Sequence, residues 1–429
     1  NEVDFFTQLR RFSARALPRN PIGFVVILPI TYRAGDVIHD ESPYAATVTS
    51  CKAKFACSHC FASLASVECS GCTKIVYCSQ RCQDLDLADH RIECEILAGC
   101  KELPEDELRL AIRVLTKYFN ESKKPSVGDF FGRKLCFNDL VSHIGDLNEH
   151  ELRLVSTRAR EVLSLLGNRL NVDEDFVTET LMRCRINRFC LIYHNDPNFF
   201  VRGQIIYLGT SAIDHTCVDS GDYGYLFDGR RIVLRAFRDF TLYDPSMLRI
   251  HYFSPSLPFY QRREMTLRGY FFLCSCEKCV QQARAFRVDP VATALSNEAR
   301  KEIDTLYKNT TPGKEWFDDG LRILNKFEKS LDDNRAIAGL GTQLQLVAIK
   351  QGLLMESLRL GMRALRRAES ILSIEPIIFN LCFVMAKLGW SDEDSPKYEV
   401  FRFAQRLGLN LFAVSHGPTH AIVKTLEAL

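Results

Sequence analysis

The chain has 429 residues, with 55 Lys+Arg against 53 Asp+Glu for a formal net charge of +2, and is 46% hydrophobic and 25% charged. That balance excludes a disordered, collagen-like or strongly basic chain, and the length exceeds what a single core of about 250–300 residues organises. No apolar run approaches the roughly 18 residues of a membrane span, and the unusual count is 17 cysteines.

In chain order, Gly23–Ile30 reads as a buried strand, followed by strands and turns from Tyr32 to Tyr44 broken by Gly and Pro. A cysteine-rich stretch then runs from Cys57 to Cys94. Residues 102–180 place Leu108, Leu110, Ile112 and Leu115 at helical spacing. Tyr223–Phe227 and Arg230–Phe237 flank Asp228-Gly229, a hairpin signal. A strand, Leu248–Tyr252, precedes a second cysteine group at Cys274, Cys276 and Cys279. From residue 293 onward the pattern is antiparallel helices: Leu340–Lys350, Leu353–Ile371, Ile377–Leu388 and Tyr398–Val414. Pro376, Pro396 and Pro418 punctuate them. The fold class is α+β.

The first residues, Asn1–Asp4, show no secretory signal, so the expected compartment is reducing and its thiols stay free or bind metal. Seven cysteines and His90 form C-x2-C-x8-C-x2-C-x5-C-x3-C-x7-H-x3-C. Zinc takes four soft ligands in a tetrahedron; C-x2-C turns and C-x3-C or H-x3-C helix faces each aim two at one ion. Such pairs can be taken in sequence or interleaved. The interleaved reading puts Cys57, Cys60, Cys78 and Cys82 on one ion, and Cys69, Cys72, His90 and Cys94 on the other. Four protein ligands leave no open position, so both sites are structural.

The segment Cys57–Cys94 resembles a MYND zinc finger, with all eight ligands present. The order around it (N-terminal strands, finger, helical insert, Asn187, Asp214-His215-Thr216-Cys217, Tyr252, the cysteine tail and terminal helices) resembles the SET-and-MYND family of protein lysine methyltransferases. The resemblance implies a split SET β-fold with the finger inserted, a post-SET zinc site and a C-terminal TPR-like helical domain. The expected bounds are 1–50 for the N-terminal SET segment, 51–100 for the finger, 101–182 for the helical insert, 183–253 for the SET core, 254–284 for the post-SET segment and 285–429 for the helical domain. It implies that Cys217 joins Cys274, Cys276 and Cys279 around a third zinc. It implies methyl transfer from S-adenosyl-L-methionine to a lysine amine, with Tyr252 catalytic. Tyr207, Tyr270 and Phe272 would line the lysine channel, and Asn20, Gly23, His143, Asn187, Asp214, His215, Tyr252 and Phe272 would contact the cofactor. The expected partners are a protein lysine substrate and protein segments, including proline-rich ones, at the finger. The expected protein is a monomer in cytoplasm or nucleus, with no membrane partner. Nucleic acid is disfavoured, because residues 51–100 hold five cations against six anions and the helix Gln83–His90 carries three aspartates.

The sequence departs from the family pattern at Ile22, at Val141, at Asp214 in place of an Asn, and at Tyr243–Leu248 where an acidic Gly-Glu-Glu-Leu is usual. Each lost polar contact could cost about 1–3 kcal/mol of cofactor binding. The alternative is a catalytically degenerate scaffold that binds protein partners. Eleven metal-bound thiolates and three Zn2+ would take the formal charge from +2 to −3.

Overall fold

The short apolar runs on the two sides of the cysteine-rich segment meet in space. The computed structural model describes residues 29–429 except 64, 122–123, 193–200, 254, 256, 258, 286–289, 310–312, 331–334, 367 and 369–370, so Asn20, Ile22 and Gly23 lie outside the described residues. The strands in chain order are β1 (Ile30–Tyr32), β2 (Val37–Glu41), β3 (Ala45–Val48), β4 (Val67–Glu68), β5 (Val76–Tyr77), β6 (Gly128–Phe130) and β7 (Arg133–Leu135). They continue with β8 (Arg188–Ile192), β9 (Val201–Ile206), β10 (Asp214–His215), β11 (Tyr223–Asp228), β12 (Arg231–Ala236), β13 (Phe240–Leu242) and β14 (Arg249–Ile250). β1 pairs antiparallel with β13, β2 with β12, and β3 with β9. β11 and β8 complete two three-stranded sheets, and β10 runs parallel to β14. β1, β2 and β3 thus find their partners beyond residue 200, and the finger and helices between are an insertion.

β3 is buried at all four residues because both of its faces are covered. Ala45 packs with Leu110 and Val114 of the helix Asp106–Asn120, while Ala46 and Val48 pack with Phe61 and Ile205. Such two-sided cover makes a strand read as a continuous apolar run.

The insertion holds the hairpin β4–β5 and the helices Gln80–Gly99, Asp106–Asn120, Glu149–Leu166 and Glu174–Asn187. Ser79 caps the first, Asn148 and Glu151 form a capping box on the third, and Asp173 caps the fourth. The helical expectation for 102–180 needs one correction: β6 and β7 form a hairpin inside it. Its turn residues Phe131 and Gly132 both have positive φ, +52° and +81°, the mirror-image turn that matches strand twist. β6 also starts on a contact that only glycine permits. A Cβ at Gly128 would sit 2.2 Å from the Gly209 nitrogen.

The β11–β12 hairpin closes one residue later than expected. Asp228 pairs with Arg231, so the loop is Gly229-Arg230, with Gly229 at φ +60°. Glycine at the first loop position suits a two-residue turn.

Beyond residue 290 come the helices Pro290–Asn309, Lys314–Phe327, Arg335–Lys350, Leu354–Leu365, Ile371–Lys387, Tyr398–Ser415 and Ala421–Glu427, each packed on the next. Two cores fill them, one around Trp316, Phe327 and Leu344, the other around Ile378, Phe401 and Phe412. The single helix expected over Leu353–Ile371 ends at Leu365, and Pro376 lies inside the next helix rather than before it. Proline there forgoes one helix hydrogen bond, to residue 372; burial of Ile377, Ile378 and Leu381 just beyond it opposes that loss. The end of Tyr398–Ser415 docks on β12, where Arg235 lies against Gly417 and donates to the Gly35 carbonyl at 2.7 Å.

Candidate metal centres and active site

Three clusters of four ligand atoms form: Cys57, Cys60, Cys78, Cys82; Cys69, Cys72, His90, Cys94; and Cys217, Cys274, Cys276, Cys279. Within each, all four ligand atoms lie within 4.8 Å of one another. Zn–S bonds of about 2.3 Å imply sulfur–sulfur edges near 3.8 Å. The Cys78–Cys82, Cys60–Cys78, Cys69–Cys94 and Cys217–Cys274 separations are 3.4, 3.6, 3.6 and 3.9 Å. The residues fit three zinc ions, and each cluster closes a tetrahedron without an open position.

Three of the finger ligand pairs come from a turn or a helix face, but Cys78 lies before the cap Ser79, so Cys78 and Cys82 straddle the start of the helix rather than sharing one of its faces. The helix Gln80–Gly99 supplies Cys82, His90 and Cys94. His90 turns Nε2 toward Cys69 and Cys72, at 3.5 and 3.6 Å, and its Nδ1 lies 2.8 Å from Glu93. A carboxylate behind a ligating imidazole fixes its tautomer and raises its basicity.

Glu93 opens a buried ion network. Arg109 Nε donates to it at 2.9 Å and Arg113 Nε at 2.7 Å, while Arg113 holds Asp86 with both terminal nitrogens at 2.9 and 3.0 Å. Tyr77 and Ser58 join at 3.0 and 3.1 Å, and Arg109 reaches the Val48 carbonyl of β3 at 2.9 Å. Asp86, Glu93 and Arg109 are fully buried. Burial alone would raise the Glu93 carboxyl, but Arg113, Arg109 and His90 hold it well below the usual carboxylate range. This network fastens the finger to the insert and to the sheet. It also corrects the charge argument: Asp86 and Glu93 face inward, so four of the six finger anions meet solvent against five cations. Sequence reading missed these residues. Their one signal was Arg109 and Arg113, four apart in an apolar helix segment.

The third cluster adjoins an aromatic group. β10 and β14 run side by side, so His215 and the residues after Ile250 share one end of the sheet. The Tyr252 ring lies 4.9 Å from Tyr270, 5.2 Å from His215 and 6.5 Å from Phe272, and His215 lies 5.9 Å from Phe272. Phe253, absent from the sequence expectation, lies 4.6 Å from His215. Tyr252 donates its hydroxyl to the Ile213 carbonyl at 2.8 Å and its N–H to His215 Nδ1 at 3.2 Å. His215 Nε2 lies 3.1 Å from Cys217 Sγ. Burial, His251 and Arg262 lower His215 to about 4 against a weaker opposing hydrogen bond, so the ring is neutral and Nε2–H faces the sulfur. Burial raises the Tyr252 and Tyr270 hydroxyls, and raises Tyr225 to about 12, so all three stay protonated at neutral pH.

The other expected contacts divide. Asn187 gives both amide hydrogens to the chain itself, to the Val141 carbonyl at 2.9 Å and the Arg183 carbonyl at 2.8 Å, which leaves Oδ1 as acceptor. His143 has φ +53°, lies 2.9 Å from Asp146 and stacks on Phe271, itself at φ +58°. Asp214 is exposed, 3.6 Å from Arg249. Val141 is 53% exposed. Tyr207 does not join the ring group. It is fully buried in the core around Phe61 and Ile205, and its hydroxyl donates to the Arg230 carbonyl at 2.5 Å.

Residues 57–94 match the family described as MYND finger. The chain is 27% identical to mouse (Mus musculus) histone-lysine N-methyltransferase SMYD3 over 61% of this chain and 59% of that protein. It is 25% identical to a Dictyostelium discoideum SET and MYND domain-containing protein over 57% and 55%. It is 22% identical to human (Homo sapiens) histone-lysine N-methyltransferase SMYD1 over 92% and 84%. The chain spans less than two thirds of the length of the first two relatives.

Proposed function

We propose that this chain of the SET-and-MYND family is a protein-lysine N-methyltransferase using S-adenosyl-L-methionine, with a MYND finger that binds segments of partner proteins. The reading assigns the paired strands to a split SET fold and the helices after residue 290 to a TPR-like domain. It places the protein as a monomer in cytoplasm or nucleus. The observation that carries it is the ring group Tyr252, Tyr270, Phe272 and His215 beside a closed four-cysteine centre.

The donor supplies an electrophilic methyl group on a sulfonium. The aromatic walls suit such a transfer, because ring faces attract the sulfonium of the donor and exclude water. A lysine of ordinary pKa about 10.4 is protonated at neutral pH. Tyr252, Tyr270 and Phe272 desolvate it, which favours the neutral amine. The Tyr252 hydroxyl, fixed on the Ile213 carbonyl, is a neutral dipole at the reacting centre rather than a phenolate base. Asn187 Oδ1 and the neighbouring main chain are the acceptors left for the polar ends of the donor.

Titration calorimetry of the zinc-loaded full chain with the donor tests this reading. Saturable binding at micromolar to sub-millimolar donor is expected, and absence of binding at millimolar donor overturns it. Two observations favour a second reading, a scaffold without catalysis. Val141 is apolar and exposed, and both Asn187 amide hydrogens are bonded internally. That scaffold would show no binding in the same titration while retaining its zinc.

A further inference from the structure

The Cys217–Cys274–Cys276–Cys279 cluster has a cation built against it. Arg262 sits in the short helix Phe259–Glu264 and is buried. Its Nη2 donates to Cys279 Sγ at 3.9 Å and to Gln282 Oε1, and Nη1 donates to the Leu257 carbonyl. Nε has no acceptor among the described residues, and none of their carboxylates lies within ion-pair distance of the guanidinium. A buried guanidinium with only neutral partners is costly. Four thiolates around Zn2+ leave a charge of −2, and that is the compensating charge available here. We infer that Arg262 is the counter-charge of this zinc centre, and that it ties zinc loading to the order of the segment carrying Tyr270 and Phe272.

The connectivity supports the second half of the inference. Arg262 links its own helix to the helix Glu277–Ala285, which holds Cys279 and Gln282. The helix of Arg262 runs directly into the turn Met265–Gly269, where the Thr266 carbonyl accepts the N–H groups of Tyr270 and Phe272 at 3.3 and 3.0 Å. The first finger cluster is placed differently, since Cys78 is exposed and water can answer its charge. The inference rests on the zinc reading of the third cluster and not on the methyl-transfer reading.

The test measures zinc per chain, and its release to a chromogenic chelator, in the full-length protein. Cys276→Ser marks which release phase belongs to this centre. Arg262→Met is expected to lose one zinc of three, or to release that one at least about 10-fold faster, as outer-shell losses do, while both finger zincs stay. Arg262→Lys keeps a cation and is expected to hold all three with release within about 3-fold of the parent. The inference is overturned if Arg262→Met holds three zincs with parental release, if Arg262→Lys behaves like Arg262→Met, or if the finger zincs leave with the third.

Discussion

Two tyrosine hydroxyls in this protein have partners of the same kind and opposite consequence. Tyr252 donates to the Ile213 carbonyl at 2.8 Å inside the ring group, whereas Tyr207 donates to the Arg230 carbonyl at 2.5 Å in a closed core. Tyr252→Phe removes a fixed dipole at the proposed reacting centre. It is expected to lower methyl transfer about 10²-fold or more while donor affinity, by calorimetry, changes less than about 3-fold. Tyr207→Phe is expected to cost about 0.5–1.5 kcal/mol in denaturant unfolding and to leave transfer within about 2-fold. A transfer loss from Tyr207→Phe equal to that of Tyr252→Phe would return Tyr207 to the lysine channel. Neither distinction is readable from the sequence, where nothing next to either tyrosine says which core its ring enters. What separates them is which core each ring enters.

Between elements, one buried ionic joint is the pair of helices Gln80–Gly99 and Asp106–Asn120, held by Asp86, Glu93, Arg109 and Arg113. Arg113→Met would leave two buried carboxylates short of a partner, for which about 3–5 kcal/mol of destabilisation is expected, checked by denaturant unfolding of the zinc-loaded protein. A loss below about 1 kcal/mol would mean that water reaches the carboxylates. A second joint is pH-dependent. Glu375, in the helix Ile371–Lys387, lies against Ser415, the last residue of the helix Tyr398–Ser415, and 3.9 Å from His416 just beyond it. Burial raises its carboxyl to about 8. The folded state therefore keeps a proton that the unfolded chain releases near pH 4.5. Its stabilising share is full below that pH and fades as pH rises through about 8. Thermal midpoints should fall from pH 5 to 8 more in the parent than in Glu375→Gln, and equal slopes would refute the assignment. The finger ligands were legible in the sequence as closely spaced pairs, whereas Cys217, 57 residues from Cys274, was reached only through the family resemblance. The joints were not legible, because Glu93 and Arg113, or Glu375 and His416, come from segments far apart in sequence and look like solvated charges in isolation. The β6–β7 hairpin was hidden for a related reason. Its turn, Phe131-Gly132, lacks the usual Asn-Gly signal, and its start is set by the distant Gly209.

At the scale of the whole molecule, metal and chain connectivity are distributed unevenly. β1, β2 and β3 reach partners more than 150 residues away, so pairing them closes long loops and depends on whatever holds the intervening insertion in place. Two zinc clusters lie in that insertion, and the third joins Cys217, just past β10, to the tail after β14. The helices after residue 290 have two apolar cores of their own and, among the described residues, no zinc ligand. Metal binding that builds a site from unfolded chain is itself folding free energy. Stripping zinc from the full chain with a strong chelator under reducing conditions should therefore unfold the first two thirds and spare the last. Limited proteolysis of the stripped protein is expected to leave a resistant fragment of roughly residues 290–429, while circular dichroism keeps most of the helical signal that those helices contribute. Returning zinc should restore the parental digestion pattern. A stripped chain that digests like the loaded one would show that the sheets stand without their metal. One that loses the C-terminal fragment as well would show that the contact of Arg235 with Gly417, where the two parts meet, couples the whole chain into a single cooperative unit.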